Sequence, residues 1–431
     1  MDPSDRSVAH IAFFNIPAHG HVNPTLGTVA ELVRRGHRVS YAVPAEFGPQ
    51  VRATGATLVP YETTLPASDR VEDWPSDDPV AMSRLALDEA IAILPGQLRA
   101  FEADRPDLVL HDFGALTGRL LAHRWQVPVI CLASTHVSAA DAEERRARQE
   151  MFDEFFADDP RWSEYRREFR TFLDEAGIAL SIDDYTGLPE RCLVPMPREF
   201  QLDGDAVDRR YAFVGPCIGD RGHQGEWRAP ADDRPVLLVA LGSAGGGQPA
   251  FYREVVAAFT GTPWHVVLAT GTLDPALLGP LPPNVEQRRS VPQLAVLERA
   301  SAFITHGGMG SVLEAMHHGV PMVTVPQVND QHLNAERVVD LGLGRHVPLD
   351  KVTAARLRDA VSFVASDPGI AARTAATRKR MRQLNGAVTS ADLIEFVLHG
   401  RREHWQDHVA RLEHRPGPGD AGHAVNGTTV G

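Results

Sequence analysis

Two histidines, His19 and His21, stand two residues apart in AHGHVNP, just after the apolar run HIAFFNIP (10–17). An alcohol hydroxyl has too high a pKa to attack unaided. It needs a base near neutral pH, and imidazole is the natural one. Such a base works best with a carboxylate behind it, which fixes its tautomer and stabilises the imidazolium that forms. The same two histidines can be read as a metal pair, but no Cys or carboxylate cluster completes a site around them. His111, in DLVLHD (107–112), points by strand alternation to the face opposite its neighbour Asp112 and belongs to core or surface.

A second cluster lies far downstream, in FITHGGMGSVLEAMHHGVPMVTVP (303–326). It reads as strand, Gly-rich turn, helix, strand. Gly307, Gly308 and Gly310 let backbone approach a ligand closely. Ser311 opens a helix whose free N–H groups and positive dipole end suit a phosphate. His306 can donate to the same phosphates, and Glu314, on the first helical turn, can accept from ribose hydroxyls.

These residues need a scaffold, and the chain describes one. HIAFFNIP, HRVSYAVP (37–44), DLVLHD and VPVICLA (127–133) are strand-like runs. Between them NPTLGTVAELVRRG (23–36) and LTGRLLAHRW (116–125) carry helical spacing. The alternation predicts a parallel sheet with helices on both faces and sites at the carboxyl ends of its strands. Residues 141–176 are charged and helical, with Met151, Phe152, Phe155 and Phe156 as an apolar stripe. That stripe suits a surface helix pair packed through it, a mobile cover over an apolar ligand, or both.

Residues 217–234, CIGDRGHQGEWRAPADDR, are polar, rich in Gly and Pro, and free of periodicity, as a linker is. A second strand–helix alternation follows. The expectation is an α/β chain of two doubly wound halves with a ligand cleft between them. The halves run over 1–215 and 235–385, joined by a linker at 216–234. A helical segment, 386–412, packs back on the first half, and 413–431 form a disordered tail.

Composition removes other classes. The 431 residues hold 43 Lys and Arg against 56 Asp and Glu, a net charge of -13. Phosphate backbones need clustered cations, so a nucleic-acid partner is not expected; a locally basic pocket for a small anion is still allowed. Three scattered cysteines, Cys131, Cys192 and Cys217, make neither a disulfide scaffold nor a zinc site. The polar start MDPSDRSVAH is no signal peptide, and no apolar run nears the roughly 18 residues of a membrane span. The expected location is the cytoplasm; the oligomeric state is left open.

The stretch SVPQLAVLERASAFITHGGMGSVLEAMHHGVPMVTVPQVNDQHLNAERV (290–338) resembles the nucleotide-sugar signature of the inverting UDP-glycosyltransferases of the GT-B fold. AHGHVNPTLGTVAELVRRGHRVSYAVP (18–44) resembles the first strand, loop and helix of that superfamily. Together they look most like bacterial macrolide and other natural-product glycosyltransferases, over nearly the whole chain to about residue 400. The resemblance implies two Rossmann-like domains facing across a cleft.

It also implies roles. His21 would be the base, with Asp112 behind it and His19 helping to bind the acceptor. Asp112 read without the family is as well a helix cap. His306, Gly308, Gly310 and Ser311 would hold the phosphates, Glu314 the ribose, Asp330 and Gln331 the donor sugar. Val291 and Gln293 would line the base pocket, and Ser243, in the turn GSAGGGQ (242–248), would reach the diphosphate. Trp74, Met82, Leu85, Phe113, Phe152 and Phe156 are candidates for the acceptor side.

One position departs from the family. Ser290 stands where a Trp usually stacks on uracil, which leaves UDP against dTDP open. The Asp203-Gly-Asp205 triplet has the Asp-x-Asp form of metal-dependent glycosyltransferases but reads as a turn. The implied function is sugar transfer, from a UDP-sugar such as UDP-glucose to a hydroxyl of an apolar natural product. It needs no metal and no cofactor, the nucleotide sugar being a co-substrate. A nucleotide-sugar epimerase, or a non-catalytic nucleotide-sugar-binding activator, would use the same fold.

Overall fold

A computed structural model describes residues 8–67, 70, 73–75, 77–219, 221–242, 248–328, 330–400 and 404–413. Ser243 with most of the 242–248 turn, and nearly all of the 413–431 tail, lie outside the described residues.

Seven strands make the first sheet: β1 (His10–Phe14), β2 (Arg38–Ala42), β3 (Thr57–Val59), β4 (Leu108–Asp112), β5 (Val129–Leu132), β6 (Cys192–Val194) and β7 (Tyr211–Phe213). Six make the second: β8 (Val236–Ala240), β9 (His265–Ala269), β10 (Val285–Arg288), β11 (Ala300–Thr305), β12 (Met322–Thr324) and β13 (Gly344–His346). Their orders are β3-β2-β1-β4-β5-β6-β7 and β10-β9-β8-β11-β12-β13. Every described pairing is parallel. In both sheets the first strand sits inside and the chain reverses direction beside it. That reversal opens a crevice at the carboxyl ends of β1 and β4, and of β8 and β11.

The helices of the first half are α1 (His19–Arg34), α2 (Gly48–Ala53), α3 (Pro79–Phe101), α4 (Leu116–Trp125), α5 (Ala142–Phe155), α6 (Pro160–Glu175) and α7 (Ile182–Thr186). Those that follow are α8 (Pro249–Phe259), α9 (Gln293–Leu297), α10 (Met309–His318), α11 (Asp330–Asp340), α12 (Ala354–Ser366), α13 (Pro368–Gln383), α14 (Gly386–Leu398) and α15 (Trp405–Glu413). Strands covered on both faces read as unbroken apolar runs, and β1 is such a strand. Ile11 and Phe13 pack toward α1 and α14, Ala12 and Phe14 toward α3, α4 and α6. No helix among the described residues is long and apolar enough to cross a membrane.

The chain's last helices return to the first half. Arg35, at the end of α1, bonds Glu31 at 2.8 Å, Asp392 at 2.7 Å and Glu395 at 2.8 Å. His37 reaches Glu395 at 3.2 Å, and the Trp405 indole donates to Arg210 O at 3.1 Å.

Two local expectations need correction. The first helix begins at His19, four residues before the expected start at Asn23, and runs through Pro24. In the 141–176 segment only part of the apolar stripe packs. Phe152 and Phe156 meet Trp162 with ring centres 5.2 and 6.1 Å apart, whereas Met151 and Phe155 are 65% and 80% exposed.

Candidate active site

The early start of α1 decides the geometry of the two histidines. Residues two apart in a helix point about 200° apart, so His19 and His21 diverge. His19 turns toward the Phe47 ring, 5.0 Å away. His21 turns toward the end of β4, where its Nδ1 lies 2.8 Å from Asp112 Oδ2. A carboxylate only accepts, so Nδ1 carries the proton and Nε2 keeps its lone pair.

Asp112 has no exposed surface, and its other oxygen accepts the Gly114 N–H at 2.8 Å. Ser134, just past β5, places Oγ 3.2 Å from His21 Nδ1. Asn15 steadies the first turn of α1, donating to His21 O at 3.1 Å and to the Tyr41 hydroxyl at 2.6 Å. Tyr61 donates in turn to Asn15 O at 3.0 Å. Phe113 lies with its ring 5.5 Å from that of His21 and is half exposed.

Burial by itself lowers the His21 pKa. The Asp112 carboxylate outweighs it through charge and hydrogen bond, and Asp330 of the second half adds to the rise. The net shift is upward from the ordinary 6.5. Two consequences carry opposite signs. Native His21 holds its proton more tightly than in the unfolded chain, so its stabilising contribution is full below 6.5 and fades as pH rises through the raised native value. A base must be neutral to work, so the acid limb of kcat/KM should lie above 6.5 and move to lower pH in Asp112→Asn. A pH–rate profile of both proteins checks this; an unmoved limb would detach Asp112 from the titrating group.

Across the cleft, β11 ends at Thr305 and α10 begins at Met309. His306 sits between two glycines. A Cβ on Gly308 would fall 2.3 Å from His306 Nε2, and one on Gly242, whose φ is +79°, would fall 2.7 Å from it. Only glycine at both places leaves room for the ring. Burial drives the His306 pKa down to about 4 against a hydrogen bond with the Ala240 backbone, so the ring is neutral at pH 7. The first N–H groups of α10 have no intrahelical acceptors, and Gly308 supplies no side-chain cap. A Cβ on Gly310 would meet no protein atom within 4 Å.

Glu314 is almost fully buried and fully engaged. Oε1 meets Arg221 at 2.5 Å and Oε2 accepts from Gln293 at 2.7 Å. Gln293 also reaches Ser311 Oγ at 3.2 Å. Arg221 belongs to the linker, and nothing local in the sequence ties it to Glu314. Val291 is buried and Ser290 is exposed.

Gln331 Oε1 accepts the backbone N–H groups of Gln327 and Val328, at 2.9 and 3.3 Å. Asp330 Oδ2 accepts from Asn334 at 3.2 Å. Asn334 donates to Gly307 O at 2.9 Å, while its carbonyl meets His136 Nε2 at 3.0 Å. That last bond joins the halves beside the site.

Of the acceptor-side residues, Phe113 meets His21. Trp74 donates to Ala67 O at 3.3 Å, Met82 is exposed, and Leu85 is half-buried on α3. Phe152 and Phe156 face Trp162, as described. Asp203 and Asp205 are exposed in a turn that begins with Asp203 at φ +49°. Among the described residues, no three His, Cys, Asp or Glu gather as a metal site.

Residues 254–387 match the family profile of the erythromycin biosynthesis protein CIII-like C-terminal domain. The oleandomycin glycosyltransferase of Streptomyces antibioticus is 42% identical over 419 residues, 96% of this chain and 95% of that protein. The NDP-glycosyltransferase YjiC of Bacillus subtilis (strain 168) is 38% identical over 394 residues, 90% of this chain and 97% of its own. The crystal structure of the glycotransferase of kitacinnamycin superposes with a TM-score of 0.81 at 43% identity, covering 90% of this chain and 99% of that one. With two doubly wound sheets and a His–Asp pair beside a glycine-turn helix, the chain belongs to the GT-B glycosyltransferases, alongside the macrolide enzymes.

Proposed function

We propose that the protein moves a sugar from a nucleoside-diphosphate donor to a hydroxyl of an apolar natural product, with inversion at the anomeric carbon. The 2.8 Å contact of His21 with buried Asp112 carries this reading. Nε2 takes the proton of the acceptor hydroxyl. The oxygen attacks the anomeric carbon from the face opposite the diphosphate, and the bond to the β-phosphate oxygen breaks. An α-linked donor then gives a β-glycoside.

The leaving diphosphate rests on the N-terminus of α10, so the reaction needs no metal. Neutral His306 has a single N–H, held by the Ala240 backbone in the free protein, and gives it to the diphosphate when the donor binds. Asp330 and Gln331 hold the sugar hydroxyls, and Glu314 takes the ribose in exchange for one of its present partners. His19 helps seat the acceptor. The names of the relatives favour a macrolide or similar acceptor, and the donor proposed is UDP-glucose. Ser290 bears on the base. An exposed serine at the end of β10 offers a ring a hydrogen bond and little contact area.

A matrix of UDP- and dTDP-sugars against hydroxylated macrolides, read by mass spectrometry with and without excess chelator, tests these points. The expected outcome is a hexosylated macrolide from UDP-glucose at a rate the chelator does not change. Product from dTDP-deoxysugars alone would overturn the donor assignment. Activity lost to chelator and restored by Mg²⁺ would overturn the metal-free mechanism.

A further inference from the structure

The first half holds a cavity of about 570 Å³, partly open to solvent and within the range of small-molecule pockets. The chain between β5 and β6 sends α6 onto α3, and the cavity lies beside that crossover, over β4 to β7.

The floor is a row of four residues in register on neighbouring parallel strands: His111 beside Cys131, Cys131 beside Cys192, Cys192 beside Tyr211. All four line the cavity. Three strand spacings of about 4.8 Å make the row roughly 14 Å long. Leu116, Val127, Pro128, Val129, Val137 and Leu180 supply apolar walls.

The polar groups of this cavity are specific. His111 donates through Nδ1 to Asp112 O at 2.9 Å, so its Nε2 is a lone-pair acceptor. Burial lowers its pKa to about 4, and it stays neutral. Tyr211 is 5% exposed, and its hydroxyl has no hydrogen-bond partner among the described residues. Burial, with Cys192 beside it, pushes its pKa up to about 12, so it remains a donor.

Charge is the second observation. The chain carries -13 overall, yet Arg119, Arg145 and Arg191 line this cavity against one carboxylate, Glu190. Arg191 pairs with Glu190 at 3.4 Å. Arg119 donates to Tyr185 O and lies over the Tyr185 ring. Arg145, on the first turns of α5, has no counter-ion among the described residues, and its charge falls on Tyr211.

We propose that this cavity binds an elongated apolar acid, its carboxylate or ionised phenol held by Arg145 and the Tyr211 hydroxyl and its apolar body lying along the β5 face. Phe113 lines the cavity and also touches His21, so the acid is a limb of the acceptor. That last identification alone rests on the glycosyl-transfer reading.

The test uses the full-length protein and two probes, a dihydroxyanthraquinone carboxylate and the same ring system without its carboxyl group. Calorimetry gives the affinity of each for wild type, Arg145→Gln, Tyr211→Phe and, as control, Arg146→Gln, an exposed position one residue along α5. Wild type should bind the acid about tenfold or more tightly than its neutral analogue, the scale of one charge-assisted hydrogen bond. Arg145→Gln should erase that preference, Tyr211→Phe should reduce it, and Arg146→Gln should keep it. Equal affinity for the two probes, or a preference that survives Arg145→Gln, overturns the site. Transfer to each probe is followed separately by mass spectrometry. Transfer without an acid preference overturns the cavity assignment and spares the proposed function. An acid preference with no transfer from any sugar nucleotide spares the cavity and overturns the acceptor identification.

Discussion

His21→Ala should lower sugar transfer by about 10²–10⁴-fold, the span of general-base effects, and leave nucleotide affinity unchanged. The imidazole touches Asp112, Ser134 and Phe113, all in the first half. The groups proposed to meet the phosphates stand on α10 and just before it, in the second half. Removing the ring therefore removes the proton acceptor and spares the donor pocket. It also leaves Asp112 buried without its main partner, so a modest loss of thermal stability should accompany the kinetic defect. His19→Ala should behave differently. Its ring turns to Phe47, away from the Asp112 that His21 meets, so the expected effect is on acceptor KM. A fully active His21→Ala beside a dead His19→Ala would reverse the two roles.

Gly308→Ala should cost donor use about 10²-fold, the scale of losing a placed hydrogen-bond donor. The new Cβ would fall 2.3 Å from His306 Nε2, and Gly242 closes the other side at 2.7 Å. The ring has nowhere to go without leaving its place between the two loops. Overpacking of this kind costs about 1–3 kcal/mol of stability. Gly310→Ala is the informative contrast. Its Cβ meets no protein atom within 4 Å, so it should fold normally. Any rise in its donor KM then reports how closely the diphosphate approaches that residue. Thermal melts and donor KM for both variants separate the cases. A Gly308→Ala protein with wild-type Tm and donor KM would show that His306 is free to move.

Much of this was legible in the sequence because period and punctuation agree. Continuous apolar runs alternate with helical spacing in both halves, and glycine turns follow β11. The first boundary misled for a physical reason. Asn23–Pro24 has the form of a helix cap followed by a first-position proline, yet α1 starts at His19 with no side-chain cap and absorbs the proline. That displacement separates His19 from His21, which the sequence shows only as neighbours.

Other features depend on distant partners. Ser134 reaches His21 across 113 residues, and His136 reaches Asn334 across 198. Arg221 looked like linker and meets Glu314 instead. The cavity was invisible because no motif encodes it. Its floor comes from four strands whose residues lie as much as 100 positions apart, His111, Cys131, Cys192 and Tyr211.

The proposed reaction turns on proton transfer to His21, backed by Asp112. Single-turnover kinetics isolate that step, with donor saturating and enzyme in excess over a macrolide acceptor, compared between wild type and His21→Ala at equal nucleotide occupancy. The variant's single-turnover rate should be about 10²–10⁴-fold lower, with an unchanged nucleotide Kd. A variant that completes its first turnover as fast as wild type would contradict that role for His21.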